Sequence, residues 1–246
     1  MHEPDGEKFT NRFTFKYDEN GLLVEFVRYG DSGEVEARGR PKYDKNGNKV
    51  EDVMYDVNGN IWSKFVYKYD KKGNKVECLD FQPGVGFAAQ KFTYKYDSKG
   101  NMVEQIMYTN AMKEKVRQKH AYKYDGNGHK VGESTVNFTY ASDSWADGKD
   151  SKTFHKSIYE YDEKGNIIKE INESVELHSI YKYDGNGKCL EIEQRNSAGK
   201  VIGKNIFKYD GKGNKVKETW HEPRTVNGET RFVPILGTSW EFTYWN

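Results

Sequence analysis

The 246-residue chain carries 39 Lys and Arg against 38 Asp and Glu, a net charge of +1 with the signs interleaved, which excludes the basic stripe of a nucleic-acid binder. Hydrophobic residues make up 35% and the mean hydropathy is −0.99, values that would suggest disorder were it not for 18 Tyr, 13 Phe and 5 Trp set at strand spacing. No run of eighteen apolar residues stands in the sequence, so no transmembrane helix is expected from it, and the sequence given contains no signal peptide.

From the N-terminal side, the first organising phrase is Tyr17-Asp18-Glu19-Asn20-Gly21. An Asp opening a turn, two right-handed residues and a Gly free to take positive φ make a type I-based hairpin loop. The phrase returns with Asp44 and Gly47, Asp70 and Gly73, Asp97 and Gly100, Asp125 and Gly128, Asp162 and Gly165, Asp184 and Gly187, and Asp210 and Gly213. A ninth copy, Tyr55-Asp56-Val57-Asn58-Gly59, falls midway between two of these and belongs at the opposite end of the strands. Before each turn aromatic and polar residues alternate, as in Phe92-Thr93-Tyr94-Lys95-Tyr96, which is the strand period.

The steps between the eight Asp markers are 26, 26, 27, 28, 37, 22 and 26 residues, each one hairpin. The spacing predicts an all-β chain, an antiparallel meander of about 18 strands, the last around Ser239 to Tyr244, with hairpin repeats over about 9–220 and a degenerate repeat over 221–246, all one domain. So wide a meander is expected as an elongated, curled single-layer sheet or a large barrel. A four-residue loop would set Tyr94 opposite Val103, and a three-residue loop with a glycine bulge would set Val103 opposite Lys95. The first is the preferred register, with Tyr, Phe and Val on one face and the Lys and Glu positions on the other. It places Cys78 and Cys189 on opposite faces, as buried or idle thiols rather than a disulfide, and sets His120 across from Glu133.

Eight near-identical turns line one rim, and variable connections line the other. The long 141–150 loop presents Trp145 between Asp143 and Asp147, and the 82–88 loop presents Phe87. Those four residues are the ligand candidates: an indole beside carboxylates suits a sugar, although Trp145 folded back as a plug is the blander expectation. No catalytic motif occurs, and a short hairpin supplies too few oxygens for calcium, so no enzyme activity, metal or cofactor is expected.

The segment Tyr94-Lys95-Tyr96-Asp97-Ser98-Lys99-Gly100-Asn101 resembles the YD repeat of the Rhs family, and the stretch from Tyr17 to Glu25 resembles variant MORN repeats. The YD resemblance implies a spiralling β-sheet scaffold in bacterial surface, wall-associated or toxin-carrying proteins, some of them labelled carbohydrate-binding. The residue after Gly is usually Asn here rather than the family's Arg, and no cleavage core or toxin domain follows. The expected function is a non-catalytic cell-envelope or exported scaffold, extracytoplasmic, that binds carbohydrate or a protein partner and self-associates through an apolar sheet face. The alternatives are an outer-membrane-type barrel, which the carboxylates of Asp52, Asp80, Glu133 and Glu170 on the aromatic face disfavour, and a shell fragment of an Rhs-like toxin system.

Overall fold

The computed structural model describes residues 12–82, 84, 89–109, 114–143 and 148–240. Among these there is no helix, and seventeen antiparallel strands form one meander sheet. In chain order they are β1 (Arg12–Tyr17), β2 (Leu23–Tyr29), β3 (Val35–Tyr43), β4 (Lys49–Tyr55), β5 (Ile61–Tyr69), β6 (Lys75–Phe81), β7 (Gln90–Tyr96), β8 (Met102–Thr109) and β9 (Lys115–Tyr124). There follow β10 (Lys130–Thr139), β11 (Ser151–Tyr161), β12 (Ile167–Asn172), β13 (Leu177–Tyr183), β14 (Cys189–Asn196), β15 (Val201–Tyr209), β16 (Lys215–Val226) and β17 (Glu229–Ser239). The expected eighteenth strand lies, beyond Trp240, outside the described residues. The chain falls into two compact units, Met1–His120 with Asn137–Ser151, and Ala121–Val136 with Lys152–Asn246, each built of the same hairpin.

The turn is the three-residue loop with a glycine bulge, which corrects the preferred register. In β7–β8 the Gly100 N–H donates to Asp97 O at 3.2 Å, the Asp97 N–H donates to Asn101 O at 2.9 Å, and Gly100 takes φ 89°. That left-handed conformation costs a side-chain-bearing residue and not glycine, which is why Gly closes every copy. One residue further on the ladder slips again: Tyr96 pairs with Met102 but Lys95 pairs with Glu104, leaving Val103 as a second bulge. Tyr94 therefore faces Gln105, not Val103. The same slip recurs at Tyr17, Tyr43, Tyr69, Tyr161, Tyr183 and Tyr209.

The double bulge sets the residue before the Tyr directly against the residue four after the Gly, most often Lys against Glu, as in Lys42 with Glu51, Lys68 with Glu77 and Lys182 with Glu191, but Glu160 against Lys169 and Lys208 against Lys217. One face is thus charged and the other carries the tyrosines. Asp52 and Asp80 pair with Phe65, and Glu170 pairs with Tyr159, so these carboxylates do share the aromatic face. Cys78 stands opposite Tyr67 and Cys189 opposite Tyr183, both on the tyrosine side, so the expectation of opposite faces is corrected with the register. Both are free thiols, and burial pushes each up from the ordinary thiol range.

The turns at 30–33, 56–59 and 196–199 repeat the fixed-rim geometry, each with its Gly N–H bonded to the carbonyl three residues back. At 223–228 the strand β16 continues through Pro223, and the chain reverses at Asn227 and Gly228, both left-handed at φ 51° and 79°.

No large side chain among the described residues is fully buried, as one sheet layer requires. Burial comes instead from neighbours within the sheet. Val53, 3% exposed, lies on the charged face between Arg40 and Lys64, its partners on the two neighbouring strands. On the other face the Phe26 ring lies across Gly39 and the Trp220 ring across Gly203, filling space a side chain would need.

Candidate functional site

The repeated polar side chains form three systems, each joining a residue to its own or a neighbouring hairpin. The first is a clasp within the turn. Asp97 Oδ1 accepts from the backbone N–H of Lys99 and Asn101 at 2.9 Å each, while the Asn101 amide donates to Asp97 Oδ2 at 3.0 Å. The same Asp–Asn clasp closes the turns at Asp44, Asp56, Asp70, Asp162 and Asp210. The Asn amide, with the N–H groups behind it, holds Asp44, Asp56, Asp70, Asp97 and Asp162 below the usual carboxylate range. At Asp125 the amide is replaced by His129, whose Nδ1 lies 3.1 Å from the carboxylate and whose ring stacks on Tyr161 at 4.9 Å.

The second system stitches hairpin to hairpin. The Tyr69 hydroxyl donates to Lys49 O at 2.7 Å, Tyr96 to Lys75 O at 2.9 Å, Tyr161 to Lys130 O at 2.7 Å, Tyr183 to Ile167 O at 2.8 Å and Tyr209 to Cys189 O at 2.9 Å. Each acceptor sits two residues after the preceding turn's Gly, immediately before the second bulge. That carbonyl accepts from the next hairpin's phenol. Sequence reasoning assigned these tyrosines to β-propensity and missed the bond, because its acceptor lies about one repeat away in the chain. The lysines at the acceptor position add ring contacts: Lys75 Nζ lies 5.4 Å from the Tyr67 ring and 5.1 Å from Tyr94. Burial pushes the Tyr94 phenol up to about 12.

The third system is a ladder of charge on the opposite face. Glu51 accepts from Lys42 at 2.6 Å and Lys64 at 2.7 Å, and Glu104 accepts from Lys119 at 2.6 Å and Lys95 at 2.7 Å. Glu191 lies 2.8 Å from Lys182 and 3.2 Å from Lys204. In each case one Lys precedes the Tyr of the same hairpin and the other lies five residues before the Tyr of the next. Lys42 and then Lys64 hold Glu51 low; Lys119 and then Lys95 do the same for Glu104.

Of the four ligand candidates, Trp145, Asp147 and Phe87 lie outside the described residues. Asp143 is described, and its carboxylate is engaged: Oδ2 takes an ion pair from Arg117 and a hydrogen bond from the Tyr140 N–H at 2.7 Å. His120 Nε2 lies 2.8 Å from Gln118 Oε1, whereas Glu133 accepts from the Tyr159 hydroxyl at 2.8 Å and from Lys130 at 2.6 Å. Among the described residues no three His, Cys, Asp or Glu side chains converge as a metal site, and no helix is long and apolar enough to cross a membrane.

No family model and no curated protein matches the chain. Solved structures do resemble it. The crystal structure of TcdB2-TccC3-Cdc42 aligns with a TM-score of 0.44 and 13% identity, over 85% of this chain and 13% of that one. TcdB2-TccC3 aligns with a TM-score of 0.44 and 12% identity, over 92% and 15%. A porin-like protein from Bacteroides uniformis aligns with a TM-score of 0.34 and 12% identity, over 90% and 87%. The chain spans no more than 15% of the TcdB2-TccC3 chains it matches, and at this level of identity the likeness concerns the strand arrangement alone.

Proposed function

We propose that the chain is a non-catalytic, exported repeat scaffold whose hairpins hold the variable-rim loops in position for a carbohydrate or protein partner. The observation that supports it is the use of the repeated Asp, Asn, Tyr, Lys and Glu side chains. They are bonded within and between hairpins, which stiffens a sheet lacking a thick core and leaves recognition to the loops. Ion pairs on the charged face and Lys49–Asp52, Lys130–Glu133 and Lys215–Glu218 pairs on the tyrosine face disfavour turning either face to lipid.

The test is a glycan array probed with the parent protein and with Trp145→Ala, beside a melting curve of each. Binding lost in the variant at an unchanged melting temperature supports the rim as a carbohydrate site. A variant that binds as well as the parent, or a parent that binds no glycan, overturns the carbohydrate arm.

A further inference from the structure

The charged ladder has a gap. In the hairpin of β9 and β10 the residue four after the turn's Gly128 is Gly132, where five other hairpins carry Glu25, Glu51, Glu77, Glu104 and Glu191 and two carry Lys169 and Lys217. Both lysines that clamp the Glu elsewhere are kept: Lys123 immediately precedes Tyr124, and Lys156 lies five before Tyr161, as Lys64, Lys119 and Lys204 lie before theirs. A Cβ built on Gly132 would sit 3.9 Å from the Lys123 Cβ and 3.6 Å from Ser157 O, so the position adjoins both strands that carry the clamp. Lys156 pairs with Glu173 at 2.6 Å, as Lys91 pairs with Glu114, but Lys91 also has Glu77 within reach on its other side. Among the described residues Lys123 has no carboxylate partner. Glu133 does not substitute, being held by Tyr159 and Lys130.

Where the glutamate is missing there is a hollow of about 420 Å³. The small residues Ala121, Gly132 and Ser157 leave it open, Lys123 and Lys156 supply positive charge, Glu133, held by Tyr159 and Lys130, is the one acid in the lining, and the Phe154 ring, 56% exposed, stands at its wall. The room exceeds what one glutamate side chain fills and falls within the range of small-ligand sites, roughly 300–1,000 Å³. Ser134 and Ser157 offer hydroxyls there, and a solvent-facing aromatic ring suits the apolar side of a sugar ring.

We infer that this hollow binds an acidic sugar, a uronate, whose carboxylate takes the place of the missing glutamate between Lys123 and Lys156. The site is separate from the variable-rim loops and stands without them. The test is calorimetric titration of the whole chain with glucuronate, glucose and N-acetylglutamate, alongside variants. Glucuronate binds; glucose, lacking the carboxylate, does not; Lys123→Gln and Lys156→Gln each weaken binding about tenfold, as expected for a lost charge-assisted bond. Gly132→Glu restores the ladder, abolishes glucuronate binding and raises the melting temperature. Trp145→Ala leaves glucuronate binding unchanged, which separates this site from the rim. The inference is overturned if glucuronate fails to bind up to about 10 mM, if glucose binds equally well, if N-acetylglutamate binds more tightly, or if Gly132→Glu binds as the parent does. Should Gly132→Glu not fold, undiminished binding by both lysine variants overturns it alone.

Discussion

Replacing Tyr96 by Phe isolates the stitch between hairpins, because it keeps the ring and its strand preference and removes only the hydroxyl that donates to Lys75 O at 2.9 Å. A neutral hydrogen bond contributes about 0.5–1.5 kcal/mol net, and its loss here also takes a partner from a half-buried carbonyl. We therefore expect about 1 kcal/mol of destabilisation, read as a lower urea midpoint at unchanged slope and as a fall of about 2–4 °C in melting temperature. Tyr69, Tyr96, Tyr183 and Tyr209 donate to different carbonyls, two in each compact unit. Changing all four to Phe should remove roughly 2 kcal/mol from each unit if distant sites add. Tyr17→Phe is the control, since Tyr17 is 58% exposed and holds the same place in the first described hairpin. If Tyr96→Phe unfolds with the parent, or no differently from Tyr17→Phe, the hydroxyl is ornamental and the ring alone explains the tyrosine.

Acid should loosen the turns. The clasped Asp44, Asp56, Asp70, Asp97 and Asp162 have folded pKa values below their unfolded value of about 3.9, so their contribution is present above pH ~4 and is lost as pH falls through the folded values. Melting curves from neutral pH to about pH 2.5 should show this fall, and Asn101→Ala should flatten it. Gly39→Ala would put a Cβ 1.9 Å from the Phe26 ring, forcing the ring aside at about 1–3 kcal/mol by urea unfolding. Phe26→Leu in the same chain should recover part of that loss. Glu104→Gln removes the acid shared by Lys95 and Lys119 and should cost about 1 kcal/mol or less, an effect that shrinks as salt is added.

The turns were legible because their chemistry is local: Asp caps its own loop and Gly supplies positive φ within five residues. The second bulge was not, because nothing in Met102-Val103-Glu104 announces a skipped residue. The Lys95–Glu104 pair goes with it, and at the matching places of other hairpins the Lys49 and Lys75 carbonyls accept from a tyrosine about a repeat further on. Alternation alone favoured Tyr94 against Val103; a demand that every Lys meet its Glu directly would have chosen the observed ladder. That demand would also have exposed Gly132 as a vacancy. Of the rim candidates only Asp143 lies among the described residues, and its Oδ2 is taken up by Arg117 and Tyr140.

The phenol bonds all point one way, from a later hairpin back to an earlier one. A chain emerging from its N-terminal end has each receiving carbonyl in place before the donor that needs it is synthesised. Growth by one more hairpin then asks nothing of those already laid down, and a 26-residue duplication carries its own donor and its own acceptor. Such a sheet lengthens as masonry does, course upon course, each new hairpin seated on the one before.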